Sequence, residues 1–210
     1  MLADYESTYQ DLVVLHHKFD AHIHQNLFEF AAWINLLREL RPKCGLEIGT
    51  FMLGTAECTV ENVPSIERLV TIDVENRRGP EELERRLARL GGRVLFRQGD
   101  SKSPEIVQAV RELTDGKLDF ASIDGDHSYD QVSAEFSLYE PMVRSGGLIG
   151  LHDVLAEPSW SEDRTMVVNP TPGIREFWQA LATTYPSRCS VICVPPGPWG
   201  NYRIGVYAKR

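Results

Sequence analysis

From residue 44 onwards the chain alternates between apolar runs of strand length and amphipathic stretches of helix length. Residues 1–41 read as helical, and Pro42 ends that pattern. Four apolar side chains of this region share one helical stripe: Leu27, Phe30, Ile34 and Leu37. The predicted strands cover residues 44–48, 68–74, 93–97, 118–124, 148–151, 190–194 and 201–208. The predicted helices begin near residue 54 and cover 80–90, 104–113, 129–139 and 173–184. Strands that alternate with helical crossovers predict an α/β fold with a mostly parallel sheet covered on both faces.

The pattern predicts one compact domain, in which residues 1–41 form an N-terminal helical cap and residues 42–210 carry the sheet. Gly146 and Gly147 are expected to open the fifth strand. The last two strands are joined by a Pro-Pro-Gly-Pro segment and are predicted to form a terminal hairpin. Ser128 and Gln131 fit a capping box at the start of the 129–139 helix.

Composition favours small-molecule chemistry. The 210 residues are 42% apolar and 25% charged, as in a soluble globular protein, and the formal charge of −8 disfavours nucleic acid and anionic membranes as partners. No apolar run is long enough to span a bilayer, and the N-terminus lacks a secretory signal. The scattered cysteines do not form a disulfide framework, so a cytoplasmic location is expected. The sequence leaves a homo-oligomer open.

The first strand runs into a glycine turn whose pattern is Glu47-x-Gly49-x-Phe51, with the next glycine only at Gly54. A strand, a glycine turn and a helix N-terminus together form a ligand cradle. Dinucleotide-binding proteins build it with G-x-G-x-x-G, which is absent here. An acidic residue ahead of the glycine repels a pyrophosphate but suits ammonium or hydroxyl groups. The turn therefore favours S-adenosylmethionine over NAD.

Successive predicted strands end in an acidic residue: Glu47, Asp73, Asp100, Asp124 and Asp153. Ligands of open α/β sheets bind at the carboxyl ends of the strands, so this series predicts a site there. Asp73 follows Gly49 by 24 residues, close to the spacing at which an acid reaches ribose hydroxyls. Asp100 and Ser101 are placed to meet an adenine edge.

Several motifs resemble those of class I S-adenosylmethionine-dependent methyltransferases. They are similar above all to the small O-methyltransferases that act on sugars and natural products, together with the cephalosporin hydroxylase-like proteins. The resemblance covers roughly residues 25–208 and rests on Glu47-Ile-Gly-Thr50, Ile72-Asp73, Gly99-Asp-Ser101, Ile123-Asp-Gly-Asp-His-Ser-Tyr129 and Gly146-Gly-Leu-Ile-Gly-Leu-His-Asp153. It departs from the family pattern at Phe51, which replaces the usual second glycine, and in a turn one residue longer before Gly54.

The resemblance implies a Rossmann-like, doubly wound sheet of seven strands with the last strand antiparallel. It also implies the cofactor S-adenosylmethionine and an activity, O-methylation of a hydroxyl on a sugar or natural product. The residues that it assigns to the methionine part are Glu47, Gly49 and Thr50. Asp73 is assigned to the ribose, Asp100 and Ser101 to the adenine, and Asp124 is also counted among the cofactor residues.

A hydroxyl must lose its proton to attack the methyl group, which calls for a base or a bound cation. His127 is the expected base, and Asp124 shares the catalytic role. Asp124, His152 and Asp153 could bind Mg²⁺ or another divalent cation. Because His152 replaces the acid of the metal-dependent relatives, loss of the metal is the other reading. His127 could instead be a helix-start residue that bonds only locally.

The long segment 154–171 follows the predicted site and is interpreted as a substrate lid with Trp160 as an apolar contact, or else as a surface loop. Two other functions stay open. One is a protein that keeps the adenosyl pocket but has lost catalysis. The other is a nucleotide-dependent oxidoreductase, which the missing G-x-G-x-x-G disfavours.

Overall fold

A computed structural model describes residues 7–14, 23, 25–155, 159–160, 166–167, 172–192 and 203–210. Its helices are α1 (7–14), α2 (Leu27–Leu40), α3 (Gly54–Asn62), α4 (Pro80–Arg89), α5 (Pro104–Leu113), α6 (Tyr129–Tyr139) and α7 (Pro172–Thr184). Its strands are β1 (Cys44–Ile48), β2 (Arg68–Asp73), β3 (Val94–Gln98), β4 (Leu118–Ile123), β5 (Val143–Leu151), β6 (Ser159–Trp160), β7 (Met166–Val167), β8 (Cys189–Val191) and β9 (Gly205–Ala208). A short 3₁₀ turn, Glu140–Met142, precedes β5.

The main sheet has seven strands in the order β3-β2-β1-β4-β5-β9-β8. Strands β1 to β5 pair in parallel, whereas β9 runs antiparallel to both β5 and β8. The Rossmann-like, mostly parallel sheet with an antiparallel last strand is therefore confirmed, and so is the terminal hairpin. Because β1 to β5 run parallel, their carboxyl ends meet along one edge of the sheet.

Local sequence explains where the helices begin and end. Asn26 caps α2 by accepting a hydrogen bond from the backbone N–H of Phe28 at 2.9 Å, and the helix ends at Arg41, whose φ is 54°. Ser103 caps α5 in the same way, through the N–H of Ile106 at 3.3 Å, and Pro104 occupies the first turn.

Apolar side chains form two buried clusters, as a sheet covered on both faces requires. One cluster joins the sheet to α5, α6 and α7 and includes Tyr139 and Trp178. The other joins it to α2, α3 and α4 and includes Trp33, which contacts Phe120 of β4 edge to face. Helix α2 therefore shares a hydrophobic core with the sheet.

The fifth strand differs from the prediction. It begins at Val143, so Gly146 and Gly147 lie within it rather than before it. The pairing of β4 with β5 shifts register between Leu118 and Phe120, and this irregularity lets the strand continue through the two glycines.

The predicted lid over 154–171 lies mostly outside the described residues, although β6 and β7 within it pair antiparallel. In the part of the chain that the structure describes, no helix is both long and apolar enough to cross a membrane.

Candidate active site

The turn after β1 brings the first strand against the end of β4. Gly49 has a φ of 96°, and a Cβ at this position would lie 2.0 Å from the carbonyl oxygen of Asp124, so only glycine fits. Phe51 also has a left-handed backbone, with a φ of 47°, which is costly for a residue with a side chain. Its N–H donates to Asp73 Oδ2 at 2.7 Å. Asp73, the residue predicted to bind the ribose, therefore stabilises the unusual backbone conformation at Phe51.

Beside this turn lies an open cavity of about 660 Å³, formed by the ends of β1 to β5 and by α6. Most of the predicted site residues line it: Gly49, Asp73, Asp100, Ser101, Asp124, His127, His152 and Asp153. The series of acidic strand ends is thus brought together in one place, as the sheet topology predicted. Glu47 and Thr50 are not among the described residues that line this cavity.

Glu47 instead faces a small second cavity, which it shares with Gln25, Thr55 and Asp124. Its Oε2 accepts a hydrogen bond from Thr71 Oγ1 at 2.6 Å, and that hydroxyl lies 2.5 Å from Thr50 Oγ1. Burial raises the pKa of Glu47 to about 7, although hydrogen bonds from Thr55 and Thr71 lower it. The side chains of Glu47, Thr71 and Thr50 therefore form a buried hydrogen-bond chain behind the main cavity.

Four ionisable side chains meet at the ends of β4 and β5; we call Asp124, His127, His152 and Asp153 the histidine cluster. His152 Nδ1 lies 3.1 Å from Asp124 Oδ1 and 2.8 Å from Asp153 Oδ1. His127 bridges the same two acids, with Nε2 3.4 Å from Asp124 Oδ1 and Nδ1 3.3 Å from Asp153 Oδ2. Asp153 has a φ of 61°, a left-handed conformation that aspartate adopts more readily than most residues.

These contacts set the charges of the histidine cluster. Burial opposes the charged form of Asp124, but His152 and His127 outweigh it and hold the pKa of this carboxyl well below its usual range. Burial likewise opposes charge on His152, yet Asp124 and Asp153 raise its pKa well above the ordinary value. The pKa of His127 is also raised, because its hydrogen bond to Asp124 and the charge of Asp153 exceed the effect of burial. The cluster therefore stabilises protonated imidazoles between carboxylates.

As arranged, the histidine cluster leaves no open position for a metal ion between its two acids. Within the described part of the chain, no three or more His, Cys, Asp or Glu side chains are grouped so that they could hold one. The space between Asp124 and Asp153 is taken by the His152 nitrogen. Its contacts are close but not aligned as hydrogen bonds, since both His152 nitrogens and Asp153 Oδ1 lack a hydrogen-bond partner among the described residues. Metal ligation by Asp124, His152 and Asp153 stays a prediction.

Sequence reasoning missed two residues at the start of α2, namely Gln25 just before the helix and Glu29 in its first turn. Gln25 Nε2 donates to Asp124 Oδ2 at 2.7 Å. Glu29 is fully buried and accepts a hydrogen bond at 3.0 Å from the N–H of Arg203, whose carbonyl oxygen accepts from the N–H of Val154 at 3.2 Å. The start of this helix thus braces the ends of both β4 and β5. The spacing gave no signal for this pair, because Gln25 precedes the helix cap Asn26 while Glu29 lies in the first helical turn.

Two further residues were missed on α6, where Gln131 and Glu135 line the cavity. The predicted capping box is wrong, because the side chain of Ser128 makes no capping hydrogen bond. Gln131 instead donates from Nε2 to Ser101 Oγ at 3.1 Å and to Glu135 Oε1 at 2.8 Å. The Gln131 amide therefore points into the cavity, and the sequence spacing alone could not predict this orientation.

The fold, with its cavity at the strand ends, is that of the class I S-adenosylmethionine-dependent methyltransferases. A family model described as rhamnosyl O-methyltransferase/CmcI matches residues 14–187. The chain belongs to the rhamnosyl O-methyltransferase/CmcI family.

Among curated proteins, the chain is similar to a rhamnosyl O-methyltransferase of Mycobacterium tuberculosis, with 31% identity over 124 residues. That match covers 56% of this chain and 48% of the relative, so the chain spans about half the length of the curated relatives it matches. An O-methyltransferase from Bacillus cereus in complex with SAH (S-adenosylhomocysteine) has a TM-score of 0.66 and 20% identity, over 97% of this chain and 91% of that one.

The MycE methyltransferase of the mycinamycin biosynthetic pathway, solved with Mg, SAH and mycinamycin VI, has a TM-score of 0.63 and 16% identity. That match covers 95% of this chain and 54% of MycE. At these identities the solved structures show the fold that the chain shares with them.

Proposed function

We propose that this protein transfers the methyl group of S-adenosylmethionine to a hydroxyl of a sugar or a glycosylated small molecule, with rhamnosyl groups as the first substrates to test. One observation carries the proposal. The glycine turn, the Asp73 carboxylate and the histidine cluster all face a single cavity. A cofactor held along the turn would therefore present its methyl group beside groups that can manage a proton.

The residues of the cavity fit the cofactor. Asp73 has two carboxylate oxygens that accept from the N–H groups of Phe51 and Glu75 at 2.7 and 3.1 Å, and their remaining lone pairs could accept from ribose hydroxyls. The left-handed turn at Gly49 lies at the wall of the same cavity, where a cofactor would contact it. When bound, S-adenosylmethionine supplies an activated methyl group, so the protein must orient the hydroxyl and accept its proton.

We assign His127 as the base that accepts the proton of the substrate hydroxyl. It lies between Asp124 and Asp153, and both acids would stabilise the imidazolium that forms when it acts as a base. The same acids raise the pKa of His127, so the neutral imidazole that can act as a base becomes more populated as pH rises. Gln25 fixes the second oxygen of Asp124 and keeps that carboxylate oriented.

Calorimetric titration with SAH and with NADH tests the cofactor. We expect SAH to bind and NADH to leave that binding unaffected, and absence of SAH binding would refute the proposal. Methyl transfer from labelled S-adenosylmethionine to a nitrophenyl rhamnoside and related glycosides then tests the reaction.

His127→Ala should lose turnover by about a hundredfold or more while it still binds SAH. Assays with added Mg²⁺ or Mn²⁺ and with chelator decide whether a divalent cation assists. SAH binding without turnover on any hydroxylated substrate would favour a ligand-binding protein instead.

A further inference from the structure

The inward face of α6 carries a carboxyl group that the proposed reaction does not use. Glu135 is only 1% exposed, yet it lines the main cavity. It lies near the end of β3, because Ser101 Oγ donates to Glu135 Oε1 at 2.5 Å. Gln131, one turn earlier on the helix, donates to the same oxygen at 2.8 Å. We call Ser101, Gln131 and Glu135 the Glu135 corner.

The two oxygens of Glu135 differ sharply. Oε1 accepts two hydrogen bonds, whereas Oε2 is buried and has no hydrogen-bond partner among the described residues. A buried, unpartnered carboxyl oxygen is costly, and native structures rarely leave one without a reason. Burial also raises the pKa of Glu135, although Ser101 and Gln131 lower it. Because Glu135 lines the cavity, a ligand bound there is the candidate donor for this covered oxygen.

Other acids near the Glu135 corner are less suited to select a ligand. Asp100 is exposed, and its Oδ1 already accepts from the N–H of Lys102 at 2.9 Å. Asp73 is engaged with the turn backbone. At an exposed carboxylate, water can take the place of a missing ligand donor, but at a buried carboxylate it cannot. Glu135 is therefore the acid at which a ligand without a suitable donor loses the most affinity.

We propose that Glu135 determines base specificity, with Oε2 accepting a hydrogen bond from the exocyclic amino group of the adenine base of the cofactor. The inference rests on the proposed function, since it assumes that an adenosyl ligand occupies the cavity. A 6-amino purine offers an N–H donor at this position, whereas a 6-oxo purine offers a second acceptor that would face the carboxyl oxygen. The Glu135 corner therefore discriminates between these two bases.

The test is calorimetric titration with SAH and with S-inosylhomocysteine, whose base has a 6-oxo group in place of the amino group and therefore also carries a hydrogen on N1. The wild-type protein should bind SAH at least about tenfold more tightly. In Glu135→Gln, the introduced amide would keep its oxygen on Ser101 and Gln131 and present its amino group to the ligand. The preference for SAH should then fall by about tenfold or more and shift towards the 6-oxo base.

Glu105→Gln is the matched control, since Glu105 is exposed on α5 and does not line the cavity; it should keep the wild-type ratio. An unchanged ratio in Glu135→Gln with SAH binding retained would overturn this inference and leave the proposed function standing. If Glu135→Gln does not fold, equal affinities of the wild-type protein for the two ligands would still overturn it. Absence of binding by either ligand would overturn the proposed function as well.

Discussion

Two acidic residues on neighbouring strands face the same small cavity but differ in their charge. Glu47 on β1 lies opposite Ser122 of β4, and Asp124 follows that strand two residues later. Burial by itself favours the neutral form of both carboxyls and so acts to raise both pKa values. Among the described residues, the hydrogen-bond partners of Glu47 are the hydroxyls of Thr55 and Thr71, and its pKa reaches about 7. Asp124 has two imidazole partners, and its pKa falls well below the usual range.

The difference shows that partner chemistry, rather than burial, decides which acid carries a permanent charge in this site. A hydroxyl offers a single dipole to an ionised carboxylate, whereas a protonated imidazole offers a full opposite charge. Asp124 is therefore a fixed anion that holds the histidine cluster together. Glu47 is an acid close to half-ionised at neutral pH, and a nearby cationic group on a ligand would shift it to the charged form.

Asp124→Asn should produce the largest effect, because it removes the anion that both histidines share. We expect the free energy of unfolding at neutral pH to fall by about 3 kcal/mol, as when one partner of a buried ion pair is lost. Urea denaturation measures the change. Asp130→Asn is the control, since Asp130 is exposed on α6. Equal stabilities of the two variants would show that the imidazoles simply lose their protons at no cost.

Glu47→Gln should raise the free energy of unfolding, whereas Asp124→Asn lowers it. The folded chain binds the Glu47 proton more tightly than the unfolded chain, so the free energy of unfolding falls as pH rises from 4.5 to about 7. At about pH 8 the wild-type protein carries the full penalty of a buried charge, and Glu47→Gln should be more stable by an amount on the order of 2 kcal/mol. At about pH 4 the two proteins should be similar.

Urea denaturation at the two pH values measures this difference, with the exposed Glu39→Gln as control. A gain of the same size at both pH values would mean that packing, not ionisation, explains the effect of Glu47→Gln. A stabilising substitution at a residue of a binding site would also indicate that stability is given up there for ligand binding.

Much of this site was predictable because parallel strands place their carboxyl ends at one edge. Asp73, Asp100, Asp124 and Asp153 meet in the cavity for that reason alone. Sequence could not show that Glu47, on the same edge, turns its side chain to the hydroxyls behind the cavity. Alternation along a strand gives the face of a side chain but not which neighbours it meets there.

The helical contributions were not predictable in the same way. Glu29 and Glu135 reach the site from α2 and α6, and Gln25 reaches it from just before α2, so their positions depend on how each helix packs on the sheet. A polar residue on an amphipathic helix usually reads as solvent-facing, and nothing local distinguishes a buried one. The start of β5 was misplaced for a related reason, since Gly146 and Gly147 are typical of a turn until pairing with β4 extends the strand through them.

The smallest effect is expected for Gln25, which lies just before α2 and contacts Asp124, the ionised acid of the pair. Gln25 Nε2 donates to Asp124 Oδ2 at 2.7 Å, a hydrogen bond to a charged acceptor at a partly exposed position. Gln25→Ala should therefore cost about 1 kcal/mol in the free energy of unfolding.

A double-mutant cycle with Asp124→Ala isolates that contact, because the cost of Gln25→Ala should nearly vanish once the carboxylate is gone. Additive losses would mean that Gln25 stabilises α2 itself and leaves Asp124 unaffected. The same cycle with Glu47→Gln serves as the comparison. Gln25 and Glu47 share the small cavity, but only Asp124 is hydrogen-bonded to Gln25, so coupling to Glu47 should be much weaker than coupling to Asp124.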